Sequence, residues 1–159
     1  MKEISTIMSN EIDMEFLRQE YFHLQDTVES FDEKSLTIKA WSVTLSMAGI
    51  GAAFTAKIDL LLLLSAGSSL LFWLIETSWK TFQQANYYRL RKIESYMKGK
   101  IDASDFRVPD ITGGWSVGWR KTNFLKIMFW HHVFLPHGII VLTGLSLWLI
   151  NLKYCIVLP

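Results

Sequence analysis

Three features of the chain predict an all-α, polytopic membrane fold with three transmembrane helices and a cytoplasmic helical-hairpin stalk. Trp41 to Ala56 and Leu60 to Ile75 are almost uncharged, and only Lys57-Ile58-Asp59 separates them. A third apolar stretch runs from about Ile127 to Ile150. Outside these runs, apolar residues recur at steps of three and four, the spacing of one helix face. A bilayer core of about 30 Å needs about 20 apolar residues at 1.5 Å each. The first two runs approach that length once Ile38 to Ala40 and Glu76 to Trp79 are counted.

The first helix is expected from about residue 11 to residue 56. Its apolar residues are Met14, Leu17, Tyr21, Leu24, Val28, Phe31, Ser35 and Ile38, a heptad seam. No Pro or Gly interrupts it before Gly49. Residues 1 to 10 are expected to fray. Lys57 to Asp59 form a tight turn, and the second helix follows from about residue 59 to residue 98. Its cytoplasmic half carries the face Trp79, Phe82, Asn86, Leu90, Ile93 and Met97, with Gly99 as a stop signal. Residues 100 to 123 read as a loop, with turn chemistry at Pro109 and Gly113-Gly114. The third span either passes through a kink at Pro136 from about Ile127, or begins at Pro136 and ends near Val157. Four segments result: 1–40, an amphipathic helix entering the membrane; 41–76, a two-span hairpin; 77–123, a basic helix and loop; and 124–159, an interfacial segment with the third span.

Half of the 159 residues are hydrophobic, and the net charge of +1 hides an asymmetry. Residues 1 to 38 hold nine acids and three bases, whereas residues 77 to 126 hold ten bases and four acids. The two arms of the stalk therefore carry opposite charge. The excess of Lys and Arg places residues 77–123, and with them the N-terminus, on the cytoplasmic side of the membrane. The C-terminus then lies outside, with Lys153 snorkelling at the outer boundary. The N-terminus does not read as a cleaved signal peptide, so the first run is expected to act as an uncleaved signal anchor. The single Cys155 leaves no intrachain disulfide and no cysteine-built zinc site.

Few residues carry chemistry. Small residues in the first two spans, Gly49, Ala53, Ser65, Ser68 and Ser69, permit close helix packing or line a pore. Arg89, Arg91 and Lys92, interleaved with Tyr87 and Tyr88, fit contact with anionic lipid or with a nucleotide signal. Trp115, Trp119, His131 and His132 fit interfacial anchors. His131, His132 and His137 lie close in sequence, but adjacent histidines face different sides of a helix, and no nearby acid orients them. Glu76 closes the second span, where an i,i+4 pair with Lys80 suits it. Gly113 to Thr122 departs from a phosphate-binding loop, because Trp119 and Arg120 follow the last glycine where Lys and Ser/Thr belong. No catalytic residues, no cofactor, no metal site and no nucleic-acid partner are expected. No span carries a charge at mid-membrane, which argues against coupled ion transport.

The amphipathic helix Met14 to Ile38, the tight hairpin Trp41 to Ile75 and the returning basic helix Trp79 to Met97 together resemble the SLATT-type small bacterial membrane proteins. The resemblance covers about residues 14 to 98 and concerns architecture. It implies an oligomeric, pore-forming effector of antiphage defence that answers a cytoplasmic signal. The alternative expectation is a non-conducting membrane adaptor that anchors a cytoplasmic partner through the stalk and the 100–123 segment.

Overall fold

The computed structural model describes residues 2–102 and 106–154, with side chains described from residue 14 onward. Among the described residues the fold is all-α, with five helices: α1 Lys2–Ala56, α2 Leu60–Met97, α3 Ile111–Lys121, α4 Phe124–Met128 and α5 His131–Tyr154. Cys155 lies outside the described residues.

The two long helices end as local chemistry dictates. Lys57 adopts φ 55° after α1, and the Ile58 amide reaches back to the Ala53 carbonyl at 3.1 Å. Gly99 does the same after α2 with φ 67°, while Gly99 N–H donates to the Tyr96 carbonyl and Lys100 N–H to the Ser95 carbonyl, both at 2.9 Å. Both ends carry the left-handed helix stop, which satisfies carbonyls that the helix leaves open. At Gly99 the left-handed turn costs no Cβ clash. The turn at 57–59 and the stop at Gly99 thus fall where the sequence puts them. The helix α1 begins earlier than residue 11, at Lys2.

One expectation is corrected and one open choice is decided. Residues 111–121 form a helix, not a loop, with Gly113 and Gly114 inside it. Glycine weakens an isolated helix by about 1 kcal/mol relative to alanine. Here Gly114 and Gly118 are buried against α2. A Cβ at Gly114 would sit 2.8 Å from Arg89 Cβ, and one at Gly118 would sit 2.9 Å from the Ala85 carbonyl carbon. The glycines let α3 lie directly on α2, and this packing outweighs their poor propensity. The third long helix starts at His131, between the two expected positions, with Pro136 inside its second turn. Before it, α4 is capped by Asn123, whose side chain accepts from Lys126 N–H at 3.0 Å. The Trp73 indole N–H donates to the Met128 carbonyl at 2.9 Å and secures the break between α4 and α5.

The chain divides into two compact units. Unit 1 comprises residues 1–32 and 81–122, and its core is Leu17, Leu24, Val28, Leu90, Ile93 and Phe106. Unit 2 comprises residues 33–80 and 123–159. Its apolar core is small: Ile50, Ala53, Leu62 and Ile140, packed by Leu61, Leu147 and Trp148. Gly144 lets α5 approach α2, with its hydrogen-side 3.1 Å from both the Leu62 carbonyl and Ala66 when a Cβ is built there.

Two helices, α2 and α5, are long and apolar enough to cross a membrane. The second half of α1 is not among them; Ser42, Thr44, Ser46 and Thr55 dilute its apolar run.

Candidate functional site: a buried ionic cluster in unit 2

Unit 2 distributes its residues unusually. Ser42, Ser46, Ser65, Ser69, Glu76, Thr77 and His137 are buried. Trp41, Leu45, Met47, Leu64, Leu71, Leu135, Leu142, Leu149 and Leu152 are exposed. On α1 the buried positions Ser42, Ser46, Ile50 and Ala53 follow steps of four, four and three. Within unit 2 the buried face of α1 is thus small and polar at Ser35, Ser42 and Ser46 and apolar at Ile50 and Ala53.

The centre of the cluster is His137, fully buried near the start of α5. Its Nε2 lies 2.8 Å from Glu76 Oε2 of α2, and its Nδ1 lies 2.8 Å from Ser42 Oγ of α1. Ser42 Oγ is 3.2 Å from Ser69 Oγ, and Ser69 Oγ donates to the His137 carbonyl at 3.2 Å. Lys39 Nζ approaches Glu76 Oε1 at 2.9 Å, off the direction of a hydrogen bond, and remains 21% exposed. Three helices are thus joined at one imidazole. A buried ionised carboxylate requires such partners, because desolvating it alone would cost several kcal/mol.

Glu76, His137 and Ser42 have the acid–base–nucleophile order of a hydrolytic triad. The ring is turned the other way round, with Nδ1 on the serine and Nε2 on the acid. All three side chains are also enclosed, with 0% exposure. What the arrangement can do is hold a proton and tie α1, α2 and α5 together. Ser46, one turn deeper on α1, is fully buried and its hydroxyl has no hydrogen-bond partner.

The other sequence-derived residues are placed as follows. Ser65 is buried and donates to the Leu61 carbonyl at 2.7 Å; a Cβ at Gly49 would press on the same Ser65 hydroxyl. Ala53 is fully buried, and Ser68 is partly exposed. His131 and His132 are exposed, and they do not join His137. Among the described residues no group of three metal-ligating side chains converges.

In unit 1, Arg89 is fully buried. Its Nε and Nη2 donate to the two Glu20 carboxylate oxygens at 2.7 and 2.9 Å, and Nη2 also donates to the Arg107 carbonyl at 2.8 Å. The guanidinium lies 4.7 Å over the Phe106 ring. Arg91 is exposed and lines a groove of about 260 Å³ together with Tyr21, Glu29, Asp32, Tyr87 and Glu94, so carboxylates counter its charge locally. Burial, aided by Asp32 and opposed by Arg91, raises the Tyr87 hydroxyl above its usual range. Lys92 sits 5.8 Å over Phe106. Trp115 and Trp119 stack on each other at 5.5 Å and on Phe82 at 6.4 and 5.2 Å.

Sequence reasoning missed the Glu76–His137 contact, since 61 residues separate the partners. A signal was present in each residue alone. An acid at the end of one apolar run and a histidine inside another both require a buried polar partner. Comparison with known proteins adds no further assignment: no family model, no curated protein and no solved structure matches the chain.

Proposed function

We propose that the chain is a three-span membrane protein that acts as a signal-responsive, oligomeric effector and changes the permeability of the bacterial inner membrane. Its spans are the second half of α1, the first half of α2, and α5. The N-terminus and residues 77–123 face the cytoplasm, and the C-terminus faces outward. One observation carries this reading: unit 2 turns large apolar side chains outward and encloses serines, glycine and an ionic cluster. In water, apolar exposure on this scale would exceed what a soluble monomer tolerates. In lipid it is the stable arrangement, because helices there associate through small residues and buried polar contacts. The modest polarity of the α1 span is then covered by α2 and α5, which meet its serines directly.

Dye efflux from liposomes tests the reading, with mass photometry and imaging of the purified chain alongside. Closed rings and efflux above background are expected. Monomers or simple dimers with background efflux in every condition would overturn it.

The second reading is a non-conducting adaptor. It is favoured by the exposed aromatic surface of unit 1, where Phe82 and Trp119 stack and remain open to a protein partner. A stoichiometric partner that copurifies through residues 77–123 would support it.

A further inference from the structure

The hydrogen atoms available to the ionic cluster of unit 2 do not satisfy its contacts in every protonation state. Four contacts need a proton: Glu76 Oε2 with His137 Nε2, His137 Nδ1 with Ser42 Oγ, Ser42 Oγ with Ser69 Oγ, and Ser69 Oγ with the His137 carbonyl. Each serine supplies one hydroxyl proton, and a carbonyl supplies none. Suppose that the Glu76–His137 pair holds one proton. If that proton lies on Nε2, it serves Glu76, and Nδ1 must accept from Ser42. Ser69 is then left to serve Ser42 or the His137 carbonyl, but not both. If it lies on Nδ1, the serine chain is complete, and the bare Nε2 faces a bare carboxylate oxygen. A second proton on the pair removes the conflict. Nε2–H then serves Glu76, Nδ1–H serves Ser42, Ser42 serves Ser69, and Ser69 serves the His137 carbonyl. A protonated Glu76 carboxyl donating to Nε2 closes the same ring, so the second proton belongs to the pair and not to either residue.

We propose that the Glu76–His137 pair is a proton-binding site, and that uptake of a second proton by the pair locks α1, α2 and α5 together within unit 2. This builds on the membrane reading above and names a proton as a signal that the spans answer. The proton is supplied by water at the Lys39 edge, the partly exposed end of the cluster. The charged group against the pair is Lys39 from α1; Lys80 follows Glu76 one turn on along α2. The helix α5 brings no Asp, Glu, Lys or Arg between His137 and Lys153, and the one such residue of α4, Lys126, is exposed. The apolar core of unit 2, Ile50, Ala53, Leu62 and Ile140, lies further along the same three helices.

A site that binds a proton more tightly in the locked state favours that state as pH falls, by up to about tenfold in the equilibrium per pH unit for one proton. The full chain in nanodiscs, labelled with ¹⁵N-histidine, is titrated between about pH 8 and 5, where imidazole changes charge. Imidazole nitrogen shifts and the infrared carboxyl band together count the protons on the pair. The pair is expected to gain one proton, the thermal midpoint is expected to rise with it, and His137→Gln and Glu76→Gln are expected to flatten the response. Ser42→Ala keeps the pair but leaves Nδ1–H without its acceptor, so it weakens proton uptake even if the two other variants misfold. A constant proton count on the pair, or parallel pH profiles for wild type and Ser42→Ala, overturns the proposal. Alkaline carbonate extraction of membranes from the cells that express the chain separates the two claims. An integral chain with a flat profile sinks the proton site alone, whereas an extractable chain sinks the membrane reading.

Discussion

At the scale of single residues, two buried polar pairs hold the chain, and they differ in kind. Arg89 and Glu20 form a two-pronged pair inside unit 1, flanked by Phe106 and completed by the Asp110 amide, which donates to Glu20 Oε1 at 3.2 Å. Such a pair contributes little net stability relative to apolar residues, yet removing one partner strands a buried charge. Arg89→Met is therefore expected to destabilise unit 1 by about 3–5 kcal/mol, whereas Glu20→Leu with Arg89→Met recovers much of that loss. Denaturation of both variants in detergent, followed by circular dichroism, checks the difference. Neither partnership is visible in sequence, since 69 residues separate Glu20 from Arg89. What sequence offers is Glu20 beside the apolar seam of α1 and Arg89 beside that of α2. Opposite charge on the two arms was legible, but which pair is buried depends on the register at which the arms meet. Glu76 and His137 differ from this first pair because the serine hydroxyls of α1 and α2 join the same cluster.

At the scale of elements, the long helices were legible and the short one was not. The extent of α2 and its stop at Gly99 follow from apolar spacing and a left-handed glycine, both local properties. The helix α3 could not be read that way, because its glycines are helical only by virtue of what they touch on α2. Two glycine substitutions separate these effects. Gly118→Ala raises helix propensity, but its Cβ would meet the Ala85 backbone, which cannot move aside. It is expected to destabilise unit 1 and to loosen the Phe82–Trp119 stack, read as altered tryptophan fluorescence. Gly51→Ala places its Cβ in open space within α1, with nothing inside 4 Å. It is expected to stabilise the helix by about 0.5–1 kcal/mol. Equal effects of the two changes would show that α3 does not rest on α2. The third long helix was located only to within several residues, because Pro136 reads as a helix start and is tolerated inside the second turn of α5.

At the scale of the whole molecule, both units bury apolar and polar residues, but in different proportion and arrangement. Unit 1 buries leucine, valine, isoleucine and phenylalanine around one ion pair, as proteins in water do. Unit 2 buries hydroxyls and charges and presents its leucines outward. The amino-acid runs forecast this partition, since the apolar stretches and the charged arms occupy different parts of the chain. They did not forecast that the second half of α1 would be the least apolar of the three candidate spans. Its serines read as packing positions, and their role as hydrogen-bond partners for α2 and α5 required the three-dimensional arrangement. The central claim is that the second half of α1 and the first half of α2 cross the bilayer as a hairpin. Single cysteines placed by Glu15→Cys, Lys57→Cys and Lys100→Cys in a Cys155→Ser background test it most directly, by labelling intact bacterial spheroplasts with a membrane-impermeant maleimide. The account predicts that the cysteine at position 57 is labelled from outside, and that those at 15 and 100 react only after lysis. Labelling of position 15 from outside, or one accessibility for all three positions, would contradict it.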